Sequence, residues 1–342
     1  MYDLHILDVS ALLHFGMNSE FYKDRVSYTY NVGGIHKVMR HIMTAFFNND
    51  EVVLAFDSRN NFRKQLMPSY KAGRVSNKYV ISQNELLLEE LPRIGFHCYQ
   101  FDGYEGDDII NWAVNDLHSS GYGKILIIGN DNDLAHNVRN DVVFHSINDN
   151  VNSVTENNFA FALSRNESVP FNFISVKKVL TGCKSDKVAP FISEKGITGT
   201  ELFDAYLKAL ESANVPFVYN NTTSSKLFMM FMKACSDLTD KDLQELELRC
   251  KIIFPAQKPS DVSIVADRYR KLDRDLLIDF LSFVNDYDSL KRIPASKHAL
   301  RENQKKELSD RNKALTSGTF AVDRNFPVNE SYEDSVLTLK EF

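Results

Sequence analysis

Lys124-Ile125-Leu126-Ile127-Ile128-Gly129-Asn130-Asp131-Asn132-Asp133-Leu134 is a short apolar run that ends in an acid-bearing polar turn. A run this brief, rich in β-branched residues and bounded by glycine and aspartate, predicts a strand at Lys124 to Ile128. The same figure recurs upstream, with a strand at Leu4 to Val9 that carries Asp8 and a strand at Val52 to Phe56 followed by Asp57. Between these runs the spacing predicts a helix after Gly33-Gly34, another around Leu86 to Leu91, and a short strand at His97 to Phe101. A further helix starts from Glu105 and lines up Ile109, Ile110, Ala113, Val114 and Leu117 on its inner face. Strands alternating with helices predict an α/β fold with a mainly parallel central sheet flanked by helices.

The pattern changes from about Asn157. Helical periodicity then dominates, near Phe171 to Leu180, Thr200 to Ser212, Ser225 to Cys235, Asp240 to Arg249 and Asp273 to Val284. The expected organisation is an α/β domain over 1-165, an α-helical region over 166-290, and a charged, partly disordered tail over 291-342.

With 342 residues the chain can bury a large core without covalent staples. Its four cysteines, Cys98, Cys183, Cys235 and Cys250, have no paired spacing, which argues against a zinc site or a disulfide framework. An acidic residue near the amino terminus, and no apolar run approaching about eighteen residues, point away from a secretory signal or a membrane span. A soluble protein of a reducing, cytoplasmic compartment is expected. A net charge of -6 argues against coating of nucleic acid by bulk field, yet Ser58 to Asn84 holds six basic residues and no acid. Binding a polyanion and binding cations are thus assigned to separate stretches.

The acids are the informative feature. Asp8, Asp57, and Asp131 with Asp133 each follow a predicted strand, and the carboxyl ends of strands in an open parallel sheet share one rim. Glu105-Gly106-Asp107-Asp108 adds carboxylates at a helix amino terminus, which favours negative charge. Clustered carboxylates repel one another and resist desolvation unless cations neutralise them, and oxygen-only ligands suit Mg²⁺ or Mn²⁺. Two such ions would suit in-line attack on a phosphodiester.

Several ordered motifs carry a resemblance: Leu7-Asp8-Val9-Ser10, Ala55-Phe56-Asp57, Phe62-Arg63, Tyr70-Lys71-Ala72-Gly73-Arg74, Tyr104-Glu105-Gly106-Asp107-Asp108, Asn130-Asp131-Asn132-Asp133-Leu134 and Leu180-Thr181-Gly182-Cys183-Lys184-Ser185-Asp186. Over about Tyr2 to Lys195 the chain resembles the 5′-nuclease superfamily, the flap endonucleases and 5′ to 3′ exonucleases of bacteria and bacteriophages. The resemblance implies a PIN-like catalytic domain, a helical arch at about 71-104, and a degenerate helix-hairpin-helix in the α-rich region. It implies that Asp8, Asp57, Glu105, Asp107 and Asp108 surround one cation while Asp131, Asp133 and Asp186 hold a second. Lys71 and Arg74 would act on the scissile phosphate. His14, Arg63, Tyr70, Lys184, Lys187 and Lys195 would contact nucleic acid, Tyr70 by stacking on a base.

The implied activity is metal-dependent hydrolysis of phosphodiesters near the 5′ ends or flaps of DNA, or of RNA primers on DNA, in replication or repair. The implied partners are DNA with a 5′ flap or 5′ end, or an RNA-DNA hybrid. A single-strand binding protein or clamp would dock on the tail of a monomeric enzyme. Two alternatives share the acidic core: a PIN-like endoribonuclease, and a catalytically impaired nucleic-acid-binding protein. This chain departs from the family where Cys183 stands in place of an aspartate, since a thiol is a poor ligand for a hard cation. His14 likewise stands where the family has a basic residue.

Overall fold

Leu4–Asp8 (β1) is buried along its whole length, as expected for a strand covered on both faces. In the computed structural model it pairs in parallel with Ile125–Gly129 (β6), Leu4 opposite Ile125 and Leu7 opposite Ile128. β6 pairs in parallel with Val142–Ser146 (β7). With Glu51–Ala55 (β4) and His97–Tyr99 (β5) these strands form one five-stranded sheet in the order β5-β4-β1-β6-β7. The expected α/β class and mainly parallel sheet are therefore observed. A separate antiparallel ribbon joins Val26–Ser27 (β2) and Tyr30–Asn31 (β3).

The structure describes residues 2–19, 26–27, 30–75, 77–139, 141–147, 153–155, 158, 173–213, 221–234, 237–266, 272–291 and 293. The tail expected to bind a partner, Ser331 to Phe342, lies outside them, as does Cys235. No helix among the described residues is long and apolar enough to cross a membrane.

The chain sorts into two compact units, each assembled from three separate segments. The first holds Met1–Asp8, Ala55–Val75 and Tyr99–Val265, and so contains the carboxyl ends of all five sheet strands. It includes the short helix Phe62–Leu66 (α3) and Gly106–Ser119 (α5), followed by Phe173–Thr181 (α6), Gly199–Ala213 (α7), Asn221–Ala234 (α8) and Asp240–Ile253 (α9). Gly199 lets α7 start against the end of α6, where a Cβ would meet the Leu180 carbonyl oxygen at 1.9 Å.

The second unit holds Val9–Asn18 (α1), Gly33–Asn48 (α2), Lys78–Ile94 (α4), Arg274–Phe283 (α10) and the short Tyr287–Leu290 (α11). Helices α1 and α2 touch backbone to backbone, since a Cβ on Gly16 would sit 2.4 Å from the Gly33 carbonyl oxygen. His36 Nε2 lies 2.7 Å from the Val284 carbonyl oxygen, tying α2 to the turn after α10.

Candidate functional site

Every carboxylate singled out from the sequence falls in the first unit. Asp8 is the last residue of β1 and is 8% exposed. Beside it Gly129 closes β6, where a Cβ would come within 2.4 Å of the buried Leu134 Cδ1 and 3.3 Å of Asp8 Cβ. A side chain at 129 would crowd Leu134 and press on Asp8. Asp57, exposed past the end of β4, accepts a 2.6 Å bond from the Gly106 amide through Oδ1. It therefore sits on the positive amino end of α5, which has an amide to offer because the first turn lacks internal acceptors.

Asp107 and Asp108 are neighbours with opposite surroundings. Asp108 is fully buried, and its two oxygens accept a bidentate pair from Arg63, each bond 2.7 Å. Oδ1 also accepts from the Ala256 amide at 2.7 Å, and Oδ2 from the Glu105 amide at 3.1 Å. With this many donors in place, both Asp108 oxygens are occupied by groups of the protein itself. Arg63 is enclosed in turn. It is 3% exposed, gives Nε to the Ile252 carbonyl at 2.8 Å and a further bond to the Phe254 carbonyl, and has no face left for a phosphate.

Asp107 has no such partner. No side chain of the described residues bonds its carboxylate. Burial, then the negative charges of Asp8 and Asp131, hold its carboxyl well above the usual carboxylate range, against a smaller opposing pull from Lys71. A divalent ion would supply the missing charge.

Glu105, just ahead of α5, is gripped by the basic segment. Tyr70 donates its hydroxyl to Oε2 at 2.9 Å and Lys71 its ammonium to Oε1 at 2.5 Å. Tyr70 is 4% exposed and packs with Val188 and Ile252, so its ring is part of the core in this structure. Lys71 adopts a left-handed φ of 50°, and its amide donates to the Asp186 carbonyl at 2.9 Å. Arg74, half exposed, reaches Asp186 Oδ1 at 3.1 Å and the Ser185 carbonyl at 2.9 Å.

The acids expected to hold a second cation already surround a side-chain cation. Lys178 on α6 bonds Asp133 Oδ2, and its Nζ lies 3.7 Å from Asp131 Oδ1 and 4.0 Å from Asp186 Oδ2. Cys183 packs beside Tyr70 and gives its thiol to Asp186 Oδ2 at 3.0 Å. Burial and the charge of Asp131 still push the Asp133 carboxyl up to about 6, with Lys178 pulling the other way, and Asp133 Oδ1 is buried without a partner. His136, in the turn of 3₁₀ helix Asn132–Asn137, is also buried with both ring nitrogens unpaired, and burial lowers it to about 3.

The other nucleic-acid candidates differ in place. Lys184, Lys187 and Lys195 are exposed in the first unit, while His14 is exposed on α1 in the second. Sequence reasoning overlooked Lys178 and His136. The available signal was a lysine among Val176, Val179 and Leu180, all buried on α6. Among the described residues, no three carboxylate, imidazole or thiol groups converge as ready ligands for one ion. An ion held through one or two carboxylates and completed by water, as Mg²⁺ commonly is, fits the Asp107 surroundings better than an all-protein cage.

Residues 3–163 match the family described as the 5′-3′ exonuclease, N-terminal resolvase-like domain. Over that stretch the chain resembles the 5′-nuclease superfamily. A 5′-3′ exonuclease of Buchnera aphidicola is 32% identical over 118 residues, covering 34% of this chain and 41% of that one. The exodeoxyribonuclease of Enterobacteria phage T3 is 35% identical over 83 residues, covering 24% of this chain and 28% of its own. The chain thus matches less than half the length of these curated relatives. Among solved structures the T5 D15 protein, co-crystallised with metal ions, shares the fold at a TM-score of 0.50 and 14% identity, covering 90% of this chain and 98% of that one. Cys183 lies beyond the matched residues, and its thiol hydrogen-bonds the Asp186 carboxylate.

Proposed function

We propose that the chain is a divalent-cation-dependent 5′-nuclease that hydrolyses phosphodiesters near the 5′ ends or flaps of DNA, or of RNA annealed to DNA, in replication or repair. The observation that carries this reading is Asp107. It is a carboxylate at a helix amino terminus, pressed by burial and by Asp8 and Asp131, with no cation of the protein bonded to it.

A bound Mg²⁺ or Mn²⁺ would lower the pKa of a coordinated water and polarise the phosphate. Asp8, Asp57 and Asp107 would direct that ion, either directly or through its water shell. Lys71 and Arg74 lie on the edge of this carboxylate group and are tethered by Glu105 and Asp186. A phosphate arriving there would compete for both cations, which then neutralise charge developing on its oxygens. Lys184, Lys187 and Lys195 would hold neighbouring phosphates as point charges on the protein surface. The matched relatives are named exonucleases, which supports the same reaction class here.

The test is cleavage of a 5′-flap duplex and of an RNA-primed duplex with Mg²⁺ and with Mn²⁺. Short 5′ products that vanish on chelation are expected. Tight binding of both substrates with no cleavage under either ion would leave only the alternative of a nucleic-acid-binding protein. A second arm uses a bulky 5′ block. Cleavage that survives the block would argue against threading of the 5′ end through the segment at 71-104.

A further inference from the structure

The sequence leads one to expect two divalent ions, but the two groups of carboxylates are not alike. In the group that includes Asp107 a negative charge lacks a bonded protein cation. In the group of Asp131, Asp133 and Asp186, the Lys178 ammonium is bonded to Asp133 and stands within 4.0 Å of both other carboxylates. An ammonium has three donors and no acceptor, so a pocket of three carboxylates suits its chemistry as well as it would suit a metal ion.

Several further contacts close this second group to an added ion. Asp186 has Arg74 on Oδ1 and the Cys183 thiol on Oδ2. Asp131 Oδ1 accepts the Asp133 amide at 3.0 Å. Cys183, which faces this group, offers a thiol, and a hard cation disfavours a thiol. Lys178 is also anchored from behind, because Val176, Val179 and Leu180 are fully buried and fix α6 in place. Seating a divalent ion would require expelling an ammonium from between three carboxylates.

We propose that Lys178 is the resident cation of the second position, so that this chain binds a single divalent ion, beside Asp107, and uses a fixed side-chain charge where a second ion would sit. The proposal rests on the nuclease reading for the identity of the first position. In substrate binding the consequence is a permanent single positive charge, independent of metal concentration, among Asp131, Asp133 and Asp186. Lys178 is here a positioning residue that sets the local charge and excludes an ion.

The experiment is Mn²⁺ titration of the full chain, read by electron paramagnetic resonance for stoichiometry and for Mn–Mn dipolar broadening, with no reference to cleavage. The wild-type chain is expected to bind one Mn²⁺ without broadening. Lys178→Met combined with Cys183→Asp is expected to bind a second, with broadening. Two ions in the wild type would overturn the proposal while leaving the nuclease reading intact. No ion in any variant would overturn both. A double variant that folds, by its thermal melt, yet takes only one ion would show that Lys178 is not what excludes the second. Should the double variant not fold, Lys178→Gln alone replaces it, and the wild-type count decides by itself.

Discussion

The Asp107 group and the Asp133–Asp186 group lie within one unit, are built from the same residue type, and handle their charge in different ways. Around Asp133 and Asp186 the protein supplies its own cations, Lys178 and Arg74. Around Asp107 it supplies repulsion, from Asp8 and Asp131. Asp108, one residue on, is matched by a buried guanidinium. The lesson is that an acidic cluster does not by itself locate a metal. What distinguishes the three settings is whether a protein cation has already taken the lone pairs, and only Asp107 is left wanting one.

The comparison can be broken most forcefully at the matched pair. Arg63→Met strands the buried Asp108 carboxylate, and denaturant unfolding should record a loss of about 3–5 kcal/mol, as for other buried pairs deprived of one partner. A loss below about 1 kcal/mol would mean that the pair is not what holds α3 to α5. Asp107→Asn should act in the opposite sense on the fold. It relieves a repulsion, so the melting temperature should rise or hold, while flap cleavage falls by at least about a hundredfold as the ion loses its anchor. Cleavage within threefold of wild type would remove Asp107 from the centre of the reaction.

His136 sharpens the contrast through pH. Its imidazole is neutral in the fold, lowered to about 3, but protonates near 6.5 in the unfolded chain. Its contribution is therefore complete above about 6.5 and is lost as the pH falls toward about 3, at about 1.4 kcal/mol per unit. Between about pH 7.5 and about pH 5 the wild type should lose about 2 kcal/mol more stability than His136→Gln. Parallel curves for the two proteins would mean that the ring titrates normally. The smallest effect is expected at the surface. Lys187→Ala should weaken flap-DNA binding by less than about tenfold and reduce the salt dependence by about one ion.

Much of this architecture could be read in advance because a parallel sheet writes its strands as short apolar runs. β1, β4, β5 and β6 lie where the runs at Leu4, Val52, His97 and Ile125 indicated. α1 escaped notice because it follows Asp8 with no intervening turn, so its first residue, Val9, read as strand. β7 escaped because Val142–Ser146 interrupts its apolar run with His145. The acids at the strand ends were likewise visible in the sequence. Their partners were not, since periodicity says which face a residue occupies and nothing about which cation reaches it. Arg63 looked like a phosphate ligand because its burial depends on carbonyls of Ile252 and Phe254, almost 190 residues further on.

That long reach bears on how far the molecule can be divided. The matched exonuclease segment ends at residue 163, yet its buried Arg63 and Asp108 are completed by the backbone at Ile252, Phe254 and Ala256. Trp112 leans the same way, giving its indole N–H to the Ala256 carbonyl at 2.8 Å. A strap drawn from the helical stretch thus lines the stretch that carries the acidic motifs. Cut after the matched segment, the chain would keep its acids from Asp8 to Asp133 but lose Asp186, and would leave an arginine, an aspartate and a tryptophan short of their partners.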